Sequence, residues 1–206
     1  DHGESLDEHG EASHGFFVYE TTTRVPFVIR TPFDTLAGRR VADPVRVVDL
    51  VPSVLDLLGV ATPKGITGAS LVPLMTGAVR ELGLETYSES MYPLHHFGWS
   101  EVRTLRRGRF KVFDAPRPEL YDIDRDPHES HNLFEERRTV GDQMLARLRT
   151  LHAQFTSAGP SSQPEPDVDP EVRSRLAALG YVGSFVGTSV SPRAERADPK
   201  DKISLF

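Results

Sequence analysis

Acid, imidazole and glycine crowd the start of the chain before any apolar segment appears: Asp1-His2-Gly3-Glu4, then Glu8-His9-Gly10-Glu11, then Ser13-His14-Gly15. Loops that carry chemistry depend on a flanking strand or helix to hold them in place. No strand pattern precedes Asp1, so the loop reads as the continuation of a domain begun upstream, and the chain as an internal or C-terminal piece.

The 206 residues are 38% hydrophobic and 26% charged, which excludes wholesale disorder and allows one to two globular domains. A net charge of -6 offers no broad cationic face for nucleic acid. Basic residues do gather at Arg103, Arg106, Arg107, Arg109 and Lys111, where the expected role is a solvated strand edge that resists edge pairing. With no cysteine, disulfides and thiolate metal sites are excluded. No apolar run approaches the roughly 20 residues that span a bilayer.

Three units are predicted, over 1–82, 83–156 and 157–206. In the first, Arg24-Val25-Pro26-Phe27-Val28-Ile29-Arg30 is an apolar run bounded by charge and predicts a buried strand. Val47 to Leu58 carries Leu50, Val51, Val54, Leu55 and Leu58 at helical spacing, with Asp49 as N-cap, Pro52 in the first turn and Gly59 past the end. That pattern predicts an amphipathic helix of about three turns. Gly65 to Gly77 reads as a loop with a short helix.

In the second unit, alternation through Glu85–Glu89, Ser100–Arg106, Phe110–Phe113 and Glu119–Ile123 predicts a small antiparallel sheet, with Arg107-Gly108 as a tight turn. Leu133 to Phe155 resumes a helical period through Met144, Leu145, Leu148 and Leu151, a helix to cover one sheet face. The third unit reads as a linker from Ser157 to Pro170, a short helix from Val172 to Leu179, a second polar linker from Gly183 to Ala197, and a helix start at Asp198-Pro199.

An adjacent Asp1-His2 pair can place a carboxylate and an imidazole on one divalent ion, with Gly3 permitting a turn behind them. Such an ion would polarise an ester oxyanion or lower the pKa of a nucleophile. His14 is the candidate to bond a substrate oxygen or protonate a leaving group. His9 is expected to order the loop, His95 and His96 to sit on an aromatic loop between two strands, and His128 and His131 to belong to a turn. The His-Glu-x-x-His, EF-hand, phosphate-loop and nucleophile-elbow patterns are all missing.

Taken together, Asp1-His2-Gly3-Glu4, Glu8-His9-Gly10, His14-Gly15, Tyr19-Glu20 and Arg24-Val25-Pro26 resemble the sulfatases of the alkaline phosphatase superfamily. The resemblance continues through Asp49 to Gly59, through Gly68-Ala69-Ser70-Leu71 and through Leu120-Tyr121-Asp122-Ile123-Asp124 to Asn132-Leu133. Arg173 to Val182 and Asp198-Pro199-Lys200-Asp201 resemble the tail of bacterial sulfatase-like proteins that continue into tetratricopeptide repeats. The implied fold is α/β: the C-terminal part of an alkaline-phosphatase-like sandwich, with a small antiparallel sheet and a covering helix.

The resemblance further implies that Asp1 and His2 ligate a divalent ion, usually calcium, and that His14 contacts the sulfate of an ester substrate. Zinc or manganese is the alternative, because a nitrogen ligand suits them better than calcium. The family's nucleophile derives from a Cys/Ser-x-Pro-x-Arg motif that these residues lack, so the expected product is a hydrolase piece inactive alone. A phosphate or phosphonate ester hydrolase and a non-catalytic scaffold remain as rivals. Protein partners through a downstream repeat region, no nucleic acid, and a periplasmic, membrane-attached or extracellular location complete the expectations.

Overall fold

The computed structural model describes residues 2–31, 36–157, 171, 175 and 192–205. Asp1, the predicted linker beyond Ser157 and nearly all of the predicted helix over 172–179 lie outside the described residues. In chain order the helices are α1 (Glu20–Thr23), α2 (Leu50–Leu57), α3 (Val72–Thr76), α4 (Tyr92–Phe97) and α5 (Arg138–Ser157). The strands are β1 (Glu85–Ser90), β2 (Val102–Arg107), β3 (Phe110–Asp114) and β4 (Glu119–Asp122).

The strands form one antiparallel sheet in the order β1-β2-β3-β4, as the alternation predicted. Leu105 pairs with Val112, and Val112 with Leu120, so three apolar side chains line up across one face. Against that row pack Met144, Leu145 and Leu148 of α5; Leu148 follows the other two by four and three residues, which puts all three on one side of the helix. Successive strand residues point to opposite faces. Val102, Phe113 and Tyr121 therefore turn away from α5 and bury Phe16, Phe17, Val18 and Tyr19 on the other side. The sheet thus separates two cores, and the segment that follows His14 is packed into the second.

The basic cluster is not a solvated edge. β2 and β3 are inner strands, and Arg103, Arg106 and Lys111 reach carboxylates, while Arg107 stays exposed. Lys111, only 3% exposed, lies 3.1 Å from Glu20 and 3.0 Å from Glu129, while Arg106 pairs with Glu20 at 2.9 Å. Glu129 holds a left-handed backbone at φ 52 and also accepts the Glu20 amide at 2.5 Å. Burial pushes the Glu129 carboxyl above its ordinary range, and the Lys111 ammonium opposes that push.

Three local expectations change. Residues 24–30 form no strand among the described residues, and Val28 is 89% exposed. A segment becomes a strand only when a neighbour pairs with its amides and carbonyls, and the sheet β1–β4 takes in no part of 24–30. The apolar face of α2 likewise stays open at Val51, Val54 and Leu58, and only Pro52 and Ser53 are buried. Asp49 does not cap α2 through its side chain; fully buried, it accepts from Arg46 and from the Ala69 amide at 2.8 Å, tying two loops together.

The tail is the third change. Residues 192–197, expected as polar linker, pack against the sheet: Arg193 reaches Asp114 at 2.7 Å and Arg196 reaches Glu101 at 2.6 Å. Asp198 caps the short turn Pro199–Asp201 by accepting from the Lys200 amide, as its sequence suggested, but the turn is 3₁₀ and a second one, Ile203–Leu205, follows. No helix among the described residues is long and apolar enough to cross a membrane.

Lys111→Ala would leave Glu129 buried without the Lys111 ammonium and Glu20 with Arg106 alone, and should lower stability by about 3–5 kcal/mol, measured as a fall in the urea midpoint. Arg147 holds the Glu85 carboxyl below its ordinary 4.5 by hydrogen bonding to it. That contribution is complete above pH 4.5 and is lost as pH falls through the depressed folded value. Arg147→Ala should flatten the acid side of the stability profile only slightly, because the pair lies near the surface and is screened by solvent, read from urea midpoints across pH.

Candidate active site

The opening loop folds back on itself through backbone bonds. Gly3 N donates to Thr22 O at 2.9 Å, Ser5 N to Ser13 O at 2.7 Å, and Asp7 N to Glu11 O at 3.0 Å. Gly3 is required by close approach: a Cβ there would meet Thr21 O at 2.2 Å. The tip turns at Glu8–Gly10, where Asp7 and His9 adopt left-handed backbone at φ 80 and 56. These bonds bring residues 4 and 14 together across the loop.

The result is a cluster of His2, Glu4 and His14, whose ligand atoms all lie within 4.8 Å of one another. The imidazole centroids of His2 and His14 are 4.1 Å apart. Glu4 Oε2 lies 2.9 Å from His14 Nδ1 and accepts from Ser13 Oγ at 3.0 Å. The hydrogen bond to His14 holds the Glu4 carboxyl below its ordinary range. All three side chains are exposed, so they are reachable from solvent.

Behind the cluster the loop is anchored by buried groups. Glu11, 2% exposed, accepts the amides of Phe16 at 2.7 Å and Phe17 at 3.3 Å, and so fixes the chain just past His14. Burial raises its carboxyl, and those two amides draw it back. Ser90 Oγ donates to Gly15 O, joining the end of β1 to the same point. His9 stacks on Tyr19 with centroids 3.5 Å apart and bonds His128 O at 3.2 Å, so it serves loop order.

Of the sequence candidates, the structure brings His2 and His14 together, while Asp1 is outside the described residues. Glu4 was not singled out from sequence; only its place within Asp1-His2-Gly3-Glu4 marked it, because a ten-residue separation across an irregular loop has no period to read. His95 and His96 belong to α4 rather than to an open loop, and His96 stacks on Tyr92 at 4.1 Å. His128 and His131 lie in the turn organised by Asp126, which accepts the His131 amide at 2.8 Å.

Two imidazoles and a carboxylate form a mixed nitrogen and oxygen donor set, which fits a divalent ion of the zinc or manganese type better than an all-oxygen calcium cage. With the sheet, its covering helix and this loop described, fold comparison places the chain among alkaline-phosphatase-like α/β proteins. A 2-O GAG sulfatase superposes with a TM-score of 0.57 at 25% identity, over 76% of this chain and 35% of that one. Residues 8–154 match the family described as N-sulphoglucosamine sulphohydrolase, C-terminal, and the chain belongs to that family.

Relatives include the uncharacterized sulfatase YidJ of Escherichia coli, 32% identical over 76% of this chain and 32% of its own length. The delta 4,5-hexuronate-2-O-sulfatase of Bacteroides thetaiotaomicron is 25% identical over 88% of this chain and 38% of its own. This chain therefore spans about a third of the length of the curated relatives it matches. His2 and Glu4 precede the matched residues, and His14 lies within them.

If the Glu4–His14 bond is the cause of the depressed Glu4 carboxyl, His14→Ala should return Glu4 toward 4.5, read by carboxyl-detected NMR titration.

Proposed function

We propose that the chain is the C-terminal part of a metal-dependent sulfuric ester hydrolase, in which Asp1 and His2 hold a divalent ion and His14 meets the sulfate ester. The observation that carries this reading is the convergence of His2, Glu4 and His14 on one exposed loop, in a chain of a sulphohydrolase family. The ion, when bound, would supply positive charge for the oxygens of the ester.

The chain's own groups divide the remaining work. Glu4 engages His14 Nδ1, which orients the ring and leaves Nε2 for a substrate or leaving-group oxygen. As the bond between sulfur and the leaving oxygen breaks, a proton delivered from Nε2 would neutralise the developing alkoxide. No Cys/Ser-x-Pro-x-Arg segment occurs in the 206 residues, so the nucleophile is assigned to residues outside them, and these residues alone are expected to be inactive.

The open apolar face supports the same division. Val28, Val51, Val54 and Leu58 are exposed here, and burying such side chains is worth about 1.5–3 kcal/mol each. These exposed side chains suit further layers of an α/β domain, in line with a chain spanning a third of its relatives' length. A phosphate or phosphonate ester hydrolase is the second reading, favoured by the imidazole of His2 beside Asp1, because a nitrogen ligand suits a transition metal. Calcium is the ion the sulfatase resemblance implies; zinc or manganese is the ion the donors favour.

The test uses the protein as its gene encodes it, assayed on matched sulfate and phosphate esters with metal content measured. Asp1→Ala should lose bound metal, and His14→Ala should lower kcat/KM on sulfate esters by about 10²–10⁴-fold. Preferential hydrolysis of phosphate esters would transfer the assignment to the second reading, and unchanged metal content with unchanged hydrolysis would remove both.

A further inference from the structure

Residues 192–205 lie beyond the part of the chain that matches the family, yet they are built into the fold. Glu101 and Asp114, beside β2 and at the end of β3, are each 3% exposed, and both draw cations from this tail. Arg193 donates to the Asp114 carboxylate at 2.7 Å and to its carbonyl at 2.8 Å, and approaches Glu101 at 3.2 Å. Arg196 completes Glu101 at 2.6 Å, and Ser100 N donates to Ala197 O at 2.9 Å. Arg103 reaches Glu101 at 2.9 Å and Arg149 reaches Asp114 at 3.1 Å, and the tail adds Arg193 and Arg196 to complete the compensation of these buried carboxylates.

The tail then crosses to the site side of the sheet. Asp198 accepts the Arg117 amide at 3.0 Å, Lys200 pairs with Glu119 at 3.0 Å, and Ile203, 7% exposed, enters the core formed by Phe16, Phe17 and Tyr19. Ile203 also covers the tip of the opening loop: a Cβ at Gly10, where φ is +77, would stand 3.3 Å from Ile203 Cγ2. Gly10 precedes Glu11, whose carboxylate holds the Phe16 and Phe17 amides immediately after His14-Gly15.

We propose that residues 192–205 are a strap that positions the His14 loop, with Ile203 as the positioning residue acting through Gly10 and Glu11. The strap deepens the hydrolase reading and rests on it for its catalytic consequence, but its structural core does not. Ile203 touches no substrate in this scheme. It holds the loop tip against the sheet, so that Glu4 and His14 keep their separation without help from the ester.

The test is hydrogen exchange on the encoded protein, comparing parent, Ile203→Ala and the milder Ile203→Val. In Ile203→Ala the amides of Glu11, Phe16 and Phe17 should exchange about tenfold faster, while those of Leu105 and Val112 on the α5 side stay within about twofold. Ile203→Val should show the same pattern at smaller amplitude, which keeps the result readable if the alanine variant unfolds. Uniform acceleration on both sheet faces, or an unchanged loop, would overturn the strap.

In activity, Ile203→Ala should lower kcat/KM on a sulfate ester about tenfold, with Ile203→Val restoring most of it. A parent that hydrolyses no sulfate ester but shows the selective exchange pattern would defeat the hydrolase reading and leave the strap standing. An active parent whose Ile203→Ala variant keeps a slow-exchanging loop would defeat the strap alone.

Discussion

Lys111 is the interaction on which the arrangement turns. A lysine buried to 3% exposure in an inner strand is tolerable only with close anionic partners, and it has two, one from each side in sequence. Glu20 comes from the segment that leads out of the His14 loop, and Glu129 from the turn after β4. The ammonium therefore pulls the candidate site, the sheet and the turn into one place. Removing the charge would not simply loosen a surface contact; it would leave the largely buried Glu20 and Glu129 carboxylates short of a cation.

From that tie the rest of the geometry follows. With Glu20 fixed, Phe16 to Tyr19 must lie on the Phe113 and Tyr121 face of the sheet, and Leu105, Val112 and Leu120 are left to α5. Glu11 and Ser90 then fix the chain at residues 15–17, and the loop closes over the remaining distance to bring Glu4 to His14. The site is exposed, while Glu11, Phe16 and Phe17, which anchor the chain just past His14, are buried. This division of a rigid support from an accessible reactive edge is what positioned chemistry requires.

The same logic explains the open surfaces. Residues 24–30 and the outer face of α2 leave apolar side chains such as Val28, Val51, Val54 and Leu58 exposed, because no described element covers them. The tail, by contrast, looked like linker and is instead part of the support, because its charges find buried partners on the sheet.

The four strands, the Gly108 turn, α3, α5 and the loop carrying His2 and His14 were legible in sequence, because each depends on a period of two or 3.6 residues, a turn former or a local motif. The α/β class and the sulfatase family followed from the same local strings. What the tertiary structure alone decided is which distant groups meet: Glu4 with His14, Lys111 with Glu20 and Glu129, Ile203 with Gly10. None of these pairs has a period, since each is set by how a loop or tail returns to the sheet. Burial is decided at that same level, which is why an apolar run such as 24–30 can lie exposed and a lysine can lie in the core.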